Sequence, residues 1–257
     1  MLSQEECAGW TTEPVQIYRI SYKSDGNKVT GFVLRPSAPG NYPLLVYCRG
    51  GNLERYKITQ KSIEQHLDLY AKNYIVVVSQ LRGNDGGTGH QDYAGGDIDD
   101  TMNIYALGKS LEGFDGKNVF IDGISEGGIG VYGSLAKGLP AKAAVVVSGV
   151  ADLEAWQERE RKGKSKSPVM KLSKDQVQER NPLGYASKLQ VPLLILDGGK
   201  DENVTASLHG EKMEQALKAA GAPVTRKFFP DAGHVLAGAR GQMIKDVINW
   251  FEEHRQN

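Results

Sequence analysis

Val119-Phe-Ile-Asp-Gly-Ile-Ser-Glu-Gly127 is the stretch that decides the fold, because a short apolar run passes directly into Gly-x-Ser-x-Gly. The apolar run predicts a buried strand, and the residues from Glu126 onward predict a helix. A serine at a sharp strand-to-helix turn exposes its hydroxyl above the sheet, and the glycines on either side relieve the crowding. Ser125 is therefore the candidate nucleophile. In a chain with 31 glycines the pattern needs support from a base, an acid and oxyanion donors.

Apolar runs and helix-like stretches alternate on both sides of this turn. Residues 15–22 and 29–36 predict an antiparallel hairpin around a turn at 24–27. Val-rich runs predict strands buried on both faces at 44–48, 74–79, 119–121, 143–147, 193–196 and 224–229. Helices are predicted between them at 58–72, 98–111, 126–137, 205–220 and 236–254. The alternation predicts an α/β fold with a mostly parallel, eight-stranded sheet flanked by helices.

Length and composition favour one domain over residues 1–257. Lys+Arg and Asp+Glu both number 31, so no excess charge points to nucleic acid or a membrane surface. Cys7 and Cys48 lack metal-ligand spacing, which favours free thiols. No signal peptide or membrane-length apolar run is visible, so a cytoplasmic location is expected. The oligomeric state stays open.

A long polar segment, residues 151–190, interrupts the alternation between the sixth and seventh predicted strands. A connection of this length between neighbouring strands is typical of an excursion over the sheet edge, and such excursions often act as lids. The charge run that begins at Glu158 is better explained as solvated surface than as a binding patch.

Two loops supply the base and the acid. His234 follows the last predicted strand, and in a parallel sheet that loop shares an edge with the Ser125 loop. The loop after 193–196 offers Asp197 and Asp201, and we favour Asp201 because it lies nearer the loop tip. Asp197 would then only stabilise the adjacent glycine turn, whereas the alternative for Asp201 is a helix N-cap. The chain order Ser125, Asp201, His234 is that of an α/β-hydrolase.

Oxyanion donors are predicted at two places. Arg49, Gly50, Gly51 and Asn52 follow the third predicted strand, and the bare glycines let the backbone approach a reacting carbonyl. The second donor would be the N–H of Glu126 at the start of the next helix. A plain turn is the alternative explanation for the glycines at 50 and 51.

Several motifs together resemble the catalytic domain of the prolyl oligopeptidase family of α/β-hydrolases. They are residues 44–52, the loop from Arg82 to Gly89, residues 95–97, 123–128, 181–183, 192–204 and 233–234. The resemblance implies Ser125, Asp201 and His234 as the catalytic triad, with acyl transfer from a small ester or short peptide and no metal or cofactor. Members carry a propeller that this chain has no room for, and a family tyrosine of the oxyanion hole corresponds here to Arg49. Either the Arg49 side chain or the Gly51 N–H would then supply that donor.

Other functions compete with the serine hydrolase. Gly128, Gly130 and Gly133 match the dinucleotide-binding pattern and Asp152 follows at about the right distance, but the serine turn occupies the position of the first glycine. A carboxylesterase without peptidase activity and a hydrolase-like binding protein without turnover also stay open. Three acids, Asp97, Asp99 and Asp100, are better explained as a helix start than as a metal site.

Overall fold

The computed structural model describes residues 1–10, 14–51, 53–162 and 172–256. Within these residues the strands form one sheet in the order β1-β2-β3-β5-β4-β6-β7-β8-β9. The strands are β1 (Ser3–Glu6), β2 (Val15–Ser24), β3 (Asn27–Pro36), β4 (Tyr42–Cys48), β5 (Ile75–Ser79), β6 (Phe114–Ile124), β7 (Ala143–Val147), β8 (Leu193–Gly198) and β9 (Val224–Phe229).

The sheet is mostly parallel, as predicted. The strands β1, β2, β3 and β5 pair antiparallel in succession, whereas β5, β4, β6, β7, β8 and β9 pair parallel. Because the strands from β4 onward run in one direction, their carboxyl ends meet at one edge of the sheet. The loops that carry Arg49, Ser125, Asp201 and His234 all leave from that edge.

The prediction of eight strands was one too few. Strand β1 pairs antiparallel with β2, with Ser3 opposite Ser21. All four of its residues are exposed and none is apolar, so it has no hydrophobic face from which periodicity could predict a strand. Its position at the sheet edge leaves the order of the other strands unaffected.

Helices cover both faces of the sheet. They are α1 (Gln60–Ser62), a π-helical turn (Ile63–Leu67), α2 (Asp68–Ala71), α3 (Gly96–Gly108), α4 (Gly127–Ala136), α5 (Leu153–Arg161), α6 (Lys174–Arg180), α7 (Gly210–Ala219) and α8 (Arg240–Glu253). Short 3₁₀ turns lie at Glu54–Tyr56, Pro182–Lys188, Ala206–Leu208 and His234–Leu236.

Two buried clusters hold these helices to the sheet. Successive residues of β4 alternate between them, so that Val46 packs beneath α3 and α4 while Leu45 packs beneath α2 and α8. The alternation follows from the two-residue period of a strand, and apolar residues at consecutive positions bury both faces. No helix among the described residues is long and apolar enough to cross a membrane.

The described part of the excursion at 151–190 includes helices α5 and α6, which its polar composition hid. Asp152 caps α5 through its side chain, and Leu153 and Trp156 are buried against Ile129 and Val204. This end of the segment therefore packs on the body of the fold. Part of the lid prediction, residues 163–171, lies outside the described residues.

Candidate active site

Ser125 occupies the sharp turn between β6 and α4. Its backbone has a φ of 55°, a left-handed conformation that few non-glycine residues adopt. Its N–H donates to the Val147 carbonyl at 2.9 Å, and its own carbonyl accepts from the Gly128 N–H at 3.0 Å. A Cβ added at Gly127 would lie 2.1 Å from the Cys48 carbonyl oxygen. Only a glycine permits this close approach, so the turn holds the serine in a fixed, strained position.

His234 connects the serine to a carboxylate. Its Nε2 lies 3.0 Å from Ser125 Oγ, and its Nδ1 lies 2.8 Å from Asp201 Oδ2. The two contacts use opposite nitrogens of one imidazole ring, which is the arrangement that lets a base take a proton while an acid fixes its tautomer. The imidazole is 26% exposed and the Asp201 carboxylate is fully buried, so the site opens toward solvent on the serine side.

Asp201 is held by the loop that follows β8. Its Oδ1 accepts hydrogen bonds from the N–H groups of Asn203 and Val204, at 2.8 and 2.9 Å. Burial raises the pKa of Asp201, but the hydrogen bond and charge of His234, with the Val204 N–H, outweigh it and hold the pKa below its ordinary value. Asp201 is therefore an ionised carboxylate whose second oxygen is left for the imidazole.

Asp197 has a different environment. Its Oδ2 lies 2.6 Å from Arg226 Nε on the neighbouring strand β9, and the α7 backbone at Gly210 closes over it. Burial raises the pKa of Asp197, and the Arg226 guanidinium opposes that rise. The structure thus brings Asp201, and not Asp197, to the histidine.

Ser148 supports this arrangement and was missed from the sequence. It follows β7 with a φ of 46° and is fully buried. Its Oγ accepts from the Val235 N–H at 3.1 Å and also hydrogen-bonds to Asp201, so that it joins the histidine loop to the acid. Nothing in the sequence distinguishes this serine, apart from its place at a strand end beside the predicted site.

The predicted oxyanion segment lies against the serine. A Cβ added at Gly50 would be 3.3 Å from Ser125 Cβ, so the backbone after β4 passes directly beside Ser125. Gly51 has a φ of 68°, and a Cβ there would overlap the Tyr56 ring at 2.4 Å. Within the described residues, the N–H groups of Gly51 and Glu126 donate to no protein acceptor, which leaves both available to a ligand.

The Arg49 side chain is turned away from this role. Its Nε and Nη2 donate to the Gln80 carbonyl at 3.1 and 3.0 Å, and its Nη1 donates to the Gly51 carbonyl at 2.9 Å. Arg49 is 3% exposed. Its guanidinium therefore braces the backbone of the segment, and of the two donors that the sequence left open the geometry favours the Gly51 N–H.

A cleft of about 1390 Å³ opens above the serine. Its lining includes Ser125, His234, Tyr47, Ile58 and Trp156 of α5. Helix α5, at the start of the 151–190 excursion, thus contributes to the lining of the cleft.

Among the described residues, only His234 hydrogen-bonds to Ser125 Oγ, although His66 also lines the cleft. Burial lowers the pKa of His66 and of His209 to about 4, so both are neutral at pH 7. His209 accepts the N–H groups of Ala151 and Asp152. His254 hydrogen-bonds to the Trp250 carbonyl at 2.7 Å, and His90 is exposed.

The glycines of the dinucleotide-like pattern are explained by packing. A Cβ at Gly130 would lie 3.0 Å from Cys48 Sγ, and one at Gly133 would lie 2.7 Å from Ile98 Cδ1. These glycines let α4 pack closely against the sheet and against α3. Asp152 caps α5 and pairs with Lys212 at 2.7 Å.

The three acids near the start of α3 each have a local partner. Asp97 accepts the Tyr93 N–H at 2.7 Å, Asp100 pairs with Arg82 at 2.8 Å, and Asp99 pairs with Lys137. These contacts agree with the prediction of a helix start.

Comparison with known proteins identifies a family model and two bacterial relatives that match this chain. The model of the prolyl oligopeptidase family matches residues 61–257. The chain is 27% identical over 248 residues to the uncharacterized peptidase YtmA of Bacillus subtilis, covering 94% of this chain and 95% of that protein. It is 29% identical over 260 residues to the uncharacterized peptidase YuxL of the same organism, but spans 38% of its length.

Solved structures share the fold. The acylaminoacyl peptidase of Pyrococcus horikoshii superposes with a TM-score of 0.77 at 20% identity, covering 95% of this chain and 42% of that one. A putative dienelactone hydrolase of Klebsiella pneumoniae superposes with a TM-score of 0.69 at 21% identity, covering 93% and 98%. This chain thus spans less than half of the peptidase and nearly all of the dienelactone hydrolase. The likeness confirms the predicted α/β-hydrolase fold.

Proposed function

The chain belongs to the prolyl oligopeptidase family of serine hydrolases, and from that membership we propose that Ser125, His234 and Asp201 form its catalytic triad. The substrate is a small ester or a short peptide, cleaved through an acyl-serine intermediate. The observation that carries the proposal is the pair of contacts on His234, 3.0 Å to Ser125 Oγ and 2.8 Å to Asp201 Oδ2. Residues 1–257 act as a single domain, and 151–190 is its lid-like insertion.

The acylation step follows from these contacts. Ser125 Oγ attacks the substrate carbonyl carbon while His234 Nε2 accepts the hydroxyl proton. Asp201 keeps the imidazole proton on Nδ1 and stabilises the imidazolium that forms. The carbonyl oxygen, now an oxyanion, accepts the N–H groups of Glu126 and Gly51, with Arg49 holding the segment in place. As the carbon–leaving-group bond breaks, His234 returns the proton to the leaving alcohol or amine.

Deacylation repeats the sequence with water. His234 Nε2 takes a proton from water as its oxygen attacks the acyl carbonyl, and the same N–H donors receive the oxyanion. Collapse of this intermediate breaks the ester to Ser125 Oγ, and His234 returns the proton to the serine. The scheme draws on no metal or organic cofactor.

A substrate panel tests the proposal. Nitrophenyl esters and aminoacyl-nitroanilides, assayed side by side, separate a peptidase from a carboxylesterase that cannot cleave amides. We expect ester hydrolysis in the wild type and its loss in Ser125→Ala. The proposal is wrong if Ser125→Ala retains wild-type turnover on every hydrolysed substrate, or if the wild type hydrolyses none of the panel.

A further inference from the structure

The residue after the nucleophile carries a carboxyl group that the mechanism does not use. Glu126 contributes its backbone N–H to the proposed oxyanion hole, but its side chain has no such role. The residue is 8% exposed, and within the described residues no hydrogen bond or ion pair reaches its carboxyl oxygens, with no cationic nitrogen within 4.0 Å. A carboxylate this deeply buried with no protein partner is poorly solvated, so a cation that enters from the cleft would stabilise its charge.

Acidic side chains outnumber basic ones around the Glu126 carboxyl group. The nearest cation, Arg49, commits its guanidinium to the carbonyls of Gln80 and Gly51. Asp97 of α3 and Glu160 of α5 face the same carboxyl. Burial raises the pKa of Glu126 to about 8, opposed by Arg49 and reinforced by both acids. The Glu126 carboxyl is therefore mostly protonated at pH 7. A bound cation would neutralise the carboxylate in place of that proton.

The space beside Glu126 suits a compact cation. A cavity of about 30 Å³ lies behind the nucleophile turn, lined by Glu126, Asp97 and Gln91 together with the apolar side chains of Ile98 and Ile129. One water needs roughly 10–15 Å³ of such space, so the cavity holds a single small polar group. Glu126 and Arg49 also line the large cleft, which makes this cavity a side pocket of the cleft.

We propose that the Glu126 carboxylate binds a positively charged group on the acyl part of the substrate, so that the enzyme prefers cationic esters or amides over neutral ones. The inference rests on the proposed hydrolase function and narrows its substrate class. An ammonium group meets the requirement, because it is compact and offers donors to a carboxylate. The ammonium belongs either to a substrate side chain or to its α-amino group.

Three nitrophenyl esters test the inference. Nα-acetyl-lysine ester has a cationic side chain, norleucine ester has only an α-ammonium, and Nα-acetyl-norleucine ester has neither. We expect one of the two cationic esters to exceed the neutral ester in kcat/KM, and the identity of that ester locates the charge. Loss of a charged hydrogen bond should reduce this ratio roughly 10- to 100-fold in Glu126→Gln. The matched control, Glu202→Gln, removes an exposed carboxylate at the cleft rim and should retain the wild-type ratio.

The outcomes separate the inference from the function it rests on. If the neutral ester is hydrolysed in a Ser125-dependent way but neither cationic ester is preferred, the inference fails and the hydrolase stands. If Glu126→Gln keeps the wild-type preference, Glu126 is not the cation site. Should that variant fail to fold, n-butylammonium serves as a probe of the wild type. It should inhibit neutral-ester hydrolysis competitively and more strongly than n-butanol, and equal inhibition by the two overturns the inference.

Discussion

Asp201→Asn is the substitution whose effect the geometry fixes most closely. The wild-type carboxylate accepts the Asn203 and Val204 N–H groups on Oδ1 and the imidazole on Oδ2. An asparagine can keep its oxygen toward the two backbone donors and so preserve the loop. Its amide nitrogen then faces His234 Nδ1, which must become the acceptor. The imidazole proton is forced onto Nε2, where it points at Ser125 and prevents His234 from acting as a base.

The size of the loss distinguishes this tautomer effect from a simple loss of contact. Removal of one charged hydrogen bond costs about 1.5–3 kcal/mol, a factor of roughly 10–150 in rate. A wrong tautomer in a triad of this geometry lowers kcat by roughly 10⁴, or about 5 kcal/mol. We therefore expect kcat for a nitrophenyl ester to fall by about four orders of magnitude, while the thermal midpoint stays near that of the wild type.

Asp197→Asn is the matched control, because it makes the same change on the same strand–loop unit. Asp197 contacts Arg226 and lies away from His234. The variant should keep kcat at the wild-type level. The account of the triad is refuted if Asp197→Asn loses the activity while Asp201→Asn retains it. A loss of only about tenfold in Asp201→Asn would refute the tautomer argument alone.

Three further predictions concern the turn, the charge at Glu126 and a buried acid. Gly127→Ala should lower the free energy of unfolding by at least about 1–3 kcal/mol, because the added Cβ would overlap the Cys48 carbonyl oxygen. Gly241→Ala is the control: its Cβ meets no atom within 4 Å, and alanine favours a helix more than glycine, so the thermal midpoint should rise slightly. If the lysine ester is the preferred one, its advantage in kcat/KM over the neutral ester should increase as the pH rises through about 8, where Glu126 loses its proton and the lysine ammonium keeps its charge; a ratio independent of pH would contradict this. Burial raises the pKa of Asp122 from 3.8 to about 7, although a hydrogen bond from the Tyr70 hydroxyl opposes the rise. Between these two pH values the folded state therefore binds one more proton than the unfolded state, and the free energy of unfolding falls as the pH rises. Asp122→Asn should therefore raise the thermal midpoint more at pH 8 than at pH 4, as measured by calorimetry.

The sequence predicted those features of the fold that depend on local pattern. Every Val-rich run became a strand of the sheet, and β7 and β9 have the predicted bounds. The strand order could not be derived, because nothing in β4 or β5 records that β5, and not β4, lies beside β3. Strand β1 escaped prediction because its exposed residues contribute no apolar pattern. Helix α5 escaped because Leu153 and Trp156 are few among charged residues.

Some residues of the candidate site could be located from the sequence, and others could not. Ser125 and His234 could be located, because a nucleophile turn and a loop after the last strand must share one edge of a parallel sheet. The choice between Asp201 and Asp197 depends on side-chain direction, and the Arg226 partner on β9 is remote in sequence. The brace that Arg49 forms with the Gln80 carbonyl is equally remote. The absence of a partner for Glu126 within the described residues depends on every neighbouring side chain together, and no spacing in the sequence encodes it.

Labelling with a fluorophosphonate, followed by mass spectrometry of the peptides, addresses the nucleophile most directly. We expect one phosphonyl group per chain, attached to the Ser125 oxygen, and a much slower reaction in His234→Ala because the hydroxyl then lacks its base. A label on another serine, or equal labelling rates with and without the imidazole, would contradict the account.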